Sequence, residues 1–153
     1  MNRNLRLMNK ALRVLILCTG NSARSQMAEG LLRHDGGDRF QVRSAGIEPS
    51  HVRPEAIEVM REIGIDISGH RSKSLDEFAA QEFDYVITVC DHANQRCQIF
   101  PGKTKRIHWS IEDPVAAHVD ETNRLSVFRR VRDEIRERLR QFVSAQTSNL
   151  EYR

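Results

Sequence analysis

Val14-Leu15-Ile16-Leu17-Cys18-Thr19-Gly20-Asn21-Ser22-Ala23-Arg24-Ser25-Gln26-Met27-Ala28-Glu29-Gly30-Leu31-Leu32 decides the reading of this chain. It opens on an apolar run of strand length and closes on residues that read as a helix. Between them, Cys18 to Ser25 form a loop of small and polar residues. A strand that hands a thiol to such a loop lets successive backbone N–H groups converge on one point. The helix that follows aims its positive end at the same point. Those features favour thiolate over thiol at Cys18. Arg24 adds a planar fork of donors that can hold two oxygens of a tetrahedral oxyanion and never loses its charge.

The spacing alone is weak evidence, because a Cys with Arg six places on arises from composition roughly a third of the time. The chain carries its own decoy. Cys90-Asp91-His92-Ala93-Asn94-Gln95-Arg96 repeats the spacing behind a second apolar run, Tyr85-Val86-Ile87-Thr88-Val89. It has no Gly, and Asp91 puts a carboxylate where an anion would bind. The first loop is therefore the oxyanion site, with Thr19, Gly20, Asn21, Ser22, Ala23, Arg24 and Ser25 as its binding residues.

At 153 residues the chain suits one domain with an adequate core, and no repeat or low-complexity tract divides it. Met1 to Lys10 carries Arg3, Arg6 and Lys10 with no signal-type apolar region behind them. A cytoplasmic protein with no membrane segment is expected. Three cysteines, an odd count, do not make a disulfide framework in that compartment. No close Cys pair of the zinc-finger kind is present, so no metal and no cofactor is expected. The net charge is +3, and the Arg-rich last helix interleaves Asp133, Glu134 and Glu137. Interleaved signs mark a solvated face, without the one-sign stripe that nucleic-acid binding needs.

Apolar runs alternating with helix-period segments indicate an α/β domain with a mostly parallel sheet. Strands are expected at 12–17, 40–44, 84–89 and 105–109. One helix follows the loop over 24–34. A second begins at Pro54, shows Ile57, Met60 and Ile63 on one face and ends at Gly64. Ser74 can cap a short third helix near 75–80. In the last helix Leu125, Phe128, Val131, Ile135, Leu139 and Phe142 form a core stripe, with an end near Ser144 and a frayed tail beyond.

In an open α/β sheet, ligands sit beyond the carboxyl ends of the strands, and Cys18, Cys90 and the segment after Trp109 all leave strands at that edge. Asp113, before Pro114, can serve there as a general acid or equally as an ordinary turn residue. If the stretch from Cys90 to Cys97 is helical, the two lie roughly 10 Å apart along its axis. A disulfide needs α-carbons within about 7 Å, so bridging them would unwind the segment. The competing reading is two buried, inert cysteines. Three thiols on one rim can instead pass a bond by successive exchange, which reduces a substrate by two electrons. None of His34, His51, His70, His92, His108 and His118 is assigned catalysis, although His92 lies beside Cys90.

These residues resemble the thioredoxin-coupled arsenate reductases built on the low-molecular-weight tyrosine phosphatase fold. The resemblance rests on Cys18 to Glu29, Ser44-Ala45-Gly46, Gly64-Ile65-Asp66-Ile67-Ser68, Cys90, Cys97 and Asp113-Pro114, and covers about Leu12 to Val143. It implies a single-domain three-layer sandwich over 12–143, a four-stranded parallel sheet flanked by helices, with an extension at 1–11 and a tail at 144–153. It further implies that Cys18 attacks arsenate held by Arg24 and the loop while Asp113 helps a hydroxyl leave. Ser25 would hydrogen-bond the Cys18 thiolate, and Asn21 would order the loop. Cys90 would then form a disulfide with Cys18, Cys97 would convert it to Cys90–Cys97, and thioredoxin would reduce that bond. The chain is taken to act as a monomer.

Members that bind potassium beside the loop use residues matching Asn21, Glu29 and Ser44 plus an acidic group. Here that stretch offers Lys73, whose ammonium is expected to replace the cation's charge near Glu29. Ordinary phosphatases of this fold usually carry Cys where this chain has Ala23 and commonly Pro where it has Gln26. Both differences favour the reductase over a phosphatase using Cys18 and Asp113. A third reading, a non-enzymatic anion sensor or phosphocysteine carrier, leaves Cys90, Cys97 and Asp113 without roles.

Overall fold

A computed structural model describes residues 11–97, 100–115 and 119–151. Four parallel strands, β1 (Leu12–Cys18), β2 (Phe40–Gly46), β3 (Tyr85–Thr88) and β4 (Lys105–His108), pair in the order β2-β1-β3-β4. The sequence explains which strands lie inside. Val14 to Leu17 and Val86 to Ile87 are wholly shielded from solvent, as central strands covered on both faces require. β2 alternates, exposing Gln41 and Arg43, and β4 exposes Lys105, Arg106 and His108. Charged, solvated edges discourage pairing with another sheet.

The flanking helices are α1 (Arg24–Gly36), α2 (Pro54–Arg61), α3 (Asp91–Arg96) and α4 (Glu121–Glu151). α1 packs on β1, β2 and α4, and α2 packs on α1 and α4. α1 is not amphipathic in the usual way. Its first turns, Arg24, Ser25, Gln26 and Glu29 included, are buried all round, so its polar groups must find partners inside the protein. Gly37, at φ 59°, ends α1 in a conformation that favours glycine.

The strand ends and the end of α1 fall within two residues of expectation, and three helical segments differ in extent or type. α2 stops at Arg61, and a turn carries the chain to Gly64 at φ 79°; its buried face is Ala56, Val59 and Met60, with Ile57 and Ile63 at the margin. The short helix after Ser74 is a single 3₁₀ turn, Leu75–Phe78, although Ser74 does cap it by accepting from Asp76 N at 3.1 Å. α4 does not end near Ser144. No Gly or Pro interrupts it, Tyr85 donates to Gln146 at 2.7 Å, and the helix runs to Glu151. At its other end Asp120 accepts from Asn123 N at 2.9 Å, an N-cap preceding the stripe. Residues 1–10 of the expected extension, and 152–153 of the expected tail, lie outside the described residues. Among the described residues no helix is long and apolar enough to cross a membrane.

Candidate active site

β1 delivers Cys18 to the carboxyl edge of the sheet, opposite Gly46 of β2. The loop that follows is fixed by its carbonyls. Those of Cys18, Thr19, Gly20 and Ser22 accept from the backbone N–H groups of Ile47, Glu48, Ser50 and Arg53 at 3.2, 2.8, 3.1 and 2.9 Å, and Ser72 Oγ adds a bond to Gly20 O at 2.9 Å. In a trans peptide the N–H points opposite to its carbonyl. Carbonyls taken up on the outside therefore leave the loop's N–H groups facing the pocket, which is what an anion cradle requires. Gly46 makes the close approach possible: a Cβ there would stand 2.7 Å from Thr19 O and 2.8 Å from Asn21 N.

Asn21 has a positive φ of 48° and is wholly buried. Its side chain holds that conformation, donating to Ser25 Oγ at 2.7 Å and Ser44 Oγ at 3.0 Å while accepting from Gln26 Nε2 and Lys73 N, each at 2.9 Å. Because Ser25 Oγ accepts from Asn21, its own proton is free for the Cys18 sulfur 2.8 Å away. That contact fixes the sulfur at the base of the loop.

The pocket is lined by Cys18, Thr19, Gly20, Ser22, Ala23, Arg24, Ser50, Arg53, Asp113 and Val115 and holds about 190 Å³. That is below the volume of sites for drug-sized ligands and suits a small oxyanion with a few waters. Arg24 donates to Ile111 O at 2.9 Å and lies 3.7 Å from Asp113 Oδ2. The other oxygen of Asp113 accepts from Val115 N at 3.0 Å, so this residue shapes a turn at the pocket rim. Asn21 and Ser25, expected among the binding residues, stand behind the cradle and support it.

No disulfide joins Cys18, Cys90 and Cys97. Cys90 follows β3, the strand paired with β1, so the two thiols leave adjacent strands on the same edge. Thr19 Oγ1 is 3.3 Å from Cys90 Sγ and links the cradle to the second thiol. The stretch after Cys90 is helical. Cys90 caps α3, its sulfur accepting from Ala93 N at 3.4 Å, and Cys97 follows the helix at its other end. Burial pushes the Cys97 thiol up from its ordinary value, against the pull of Arg106. His92 lies on α3 itself, and the histidine that reaches this segment from outside is His108. Its Nε2 is 2.8 Å from Asp91 Oδ1 and its Nδ1 is 2.7 Å from Thr88 Oγ1. Hydrogen bonds from His108 and Ser110 hold the Asp91 carboxyl below its usual range. His118 lies outside the described residues.

Behind the cradle, Glu29 is buried with Lys73 Nζ at 3.8 Å, His70 Nδ1 at 3.1 Å and Arg33 at 3.7 Å. Burial lowers the affinity of Lys73 for its proton, opposed by Glu29. Gln26 joins this cluster to the loop: Nε2 donates to Asn21 O and Arg71 O at 3.1 and 2.9 Å, and Oε1 is 3.0 Å from His70 Nδ1. Sequence reasoning missed the roles of His70 and Gln26. It also missed Ser50, Ser72 and Arg53, which carried no motif. Among the described residues no three His, Cys, Asp or Glu side chains cluster to hold a metal ion.

A thiol in an N–H cradle, with an Arg fork and a carboxyl at the rim, defines a cysteine enzyme acting on oxyanions or their esters. The low molecular weight phosphotyrosine protein phosphatase family matches residues 13–151, and the chain belongs to that family. It is 47% identical over 136 residues to the arsenate reductase of Halalkalibacterium halodurans, covering 89% of this chain and 97% of that one. A solved arsenate reductase in its phosphate-binding state superposes with a TM-score of 0.71 at 35% identity, covering 88% of this chain and 98% of that one. The thioredoxin-dependent arsenate reductase of Corynebacterium glutamicum gives a TM-score of 0.73 at 29% identity, over 95% of this chain and 71% of that one.

Proposed function

We propose that this chain reduces arsenate to arsenite through a relay of Cys18, Cys90 and Cys97. The observation that carries the reading is the pairing of an oxyanion cradle at Cys18 with a second thiol, Cys90, reached through the 3.3 Å contact to Thr19. The similarity to named arsenate reductases supports the same reading.

The Cys18 thiolate attacks arsenic in arsenate held by Arg24 and the loop N–H groups. An S–As bond forms, and one hydroxyl departs as water with a proton from Asp113. The Cys90 thiolate then attacks Cys18 Sγ. The S–S bond forms as the S–As pair passes to arsenic, which leaves as arsenite, two electrons richer. Cys97 attacks Cys90 Sγ and Cys18 departs as thiolate, leaving the disulfide at Cys90–Cys97 on a segment that must unwind to accommodate it. A dithiol protein of the thioredoxin type returns two electrons, a role supported by the half-buried position of Cys97 and by the thioredoxin-dependent relative. The protein works as a cytoplasmic monomer.

The same pocket fits hydrolysis of small phosphate esters, with Asp113 protonating the leaving alkoxide, so weak phosphatase activity accompanies reduction. The test compares the two in Cys90→Ser. Arsenate turnover with thioredoxin should stop while aryl phosphate hydrolysis persists; sustained arsenate turnover would overturn the relay.

A further inference from the structure

We infer that Arg53 is a second anion-binding guanidinium, which engages oxygens of the bound oxyanion that Arg24 and the N–H cradle leave facing outward. Arg53 lines the same pocket as Cys18 and Arg24. Its backbone is pinned to the cradle by the 2.9 Å bond from its N–H to Ser22 O, so its side chain starts from a fixed point beside the anion site.

The other charges on this side are engaged. Arg24 is shared between Ile111 O and Asp113, and Arg124 lies 3.7 Å from Glu55. The Arg53 guanidinium makes no hydrogen bond or ion pair among the described residues, and its Nε is buried without a partner. A guanidinium at a pocket wall with no internal partner keeps the donors that face the pocket for an anion bound there. The chemistry at that point calls for an oxygen anion. Tetrahedral oxyanions carry up to two charges near neutral pH, whereas Arg24 already shares its charge with Asp113. Arg53 and Val115 also line a second pocket with Glu55, Arg124 and Phe128, so Arg53 stands on the wall between the two.

The inference builds on the reading of this pocket as an oxyanion site, but its test needs no electron donor and no turnover. Binding of inorganic phosphate to the reduced protein is measured calorimetrically for wild type, Arg53→Gln, Arg53→Lys and Glu55→Gln. Arg53→Gln should weaken phosphate about tenfold or more, as loss of a charge-assisted hydrogen bond does. Arg53→Lys, which keeps the charge without the fork, should fall between that variant and wild type. Glu55→Gln serves as the control, because Glu55 Oε2 is, among the described residues, the other buried side-chain polar atom without a hydrogen bond and is the candidate internal partner of Arg53. If Arg53→Gln and Glu55→Gln lower Tm alike while phosphate affinity stays within about twofold of wild type, Arg53 is a structural ion-pair partner and the inference is wrong. Failure of arsenate turnover, with phosphate binding still dependent on Arg53, would count against the reductase and leave this inference standing.

Discussion

Thr19 Oγ1 lies 3.3 Å from Cys90 Sγ, joining the first residue of the anion loop to the thiol that follows the neighbouring strand β3. Thr19→Val keeps the shape of the side chain and removes this contact. Arsenite release should slow by about threefold to tenfold, the range for one modest hydrogen bond. Aryl phosphate hydrolysis, which does not use Cys90, should change less; equal losses in both assays would show that Thr19 serves the cradle alone.

Gly46 is where the cradle and the second strand meet most closely. An added methyl would meet backbone atoms of Thr19 and Asn21, which cannot swing aside as a flexible side chain can. Gly46→Ala should cost about 1–3 kcal/mol in a denaturant titration and weaken phosphate binding as the loop N–H groups splay. Unchanged phosphate affinity would mean that the loop tolerates the displacement.

The cluster around Glu29 makes two further expectations. With the Lys73 ammonium 3.8 Å from the carboxylate, exchanging sodium for potassium should leave Tm and turnover unchanged, and Lys73→Met should destabilise by about 2–3 kcal/mol because one partner of a buried pair is lost. A marked rise of either quantity in potassium would contradict the substitution of ammonium for a cation.

His70 sets the pH dependence of the same cluster. Burial lowers its proton affinity from the ordinary 6.5, against the pull of Glu29 and with added repulsion from Arg33 and Lys73. Below pH 6.5 the unfolded chain therefore takes up this proton before the folded one does, and stability should fall as pH falls. A thermal melt series should show a shallower acid slope for His70→Asn; an identical slope would place the titration elsewhere.

What was legible in the sequence follows from how local each signal is. Val14 to Leu17 and Tyr85 to Val89 are apolar enough to mark central strands, and the small residues after Cys18 mark the cradle by composition. Asp113 reads equally as a turn residue until the sheet brings it 3.7 Å from Arg24, an approach across more than eighty residues that no local pattern carries. His70, Gln26 and Arg53 carry no local signal, and their contacts arise only when α1 and the loops after β1 and β2 meet around the cradle. Polar residues after Phe142 look like a tail in the sequence, whereas the Tyr85 to Gln146 bond holds another turn of α4.

The relay is tested most directly by treating reduced Cys97→Ser with arsenate and mapping disulfides by mass spectrometry without added reductant. The account predicts about one arsenite released per chain and a Cys18–Cys90 disulfide, since the third thiol is missing. Arsenite release without that bond, or repeated turnover in its absence, would contradict it.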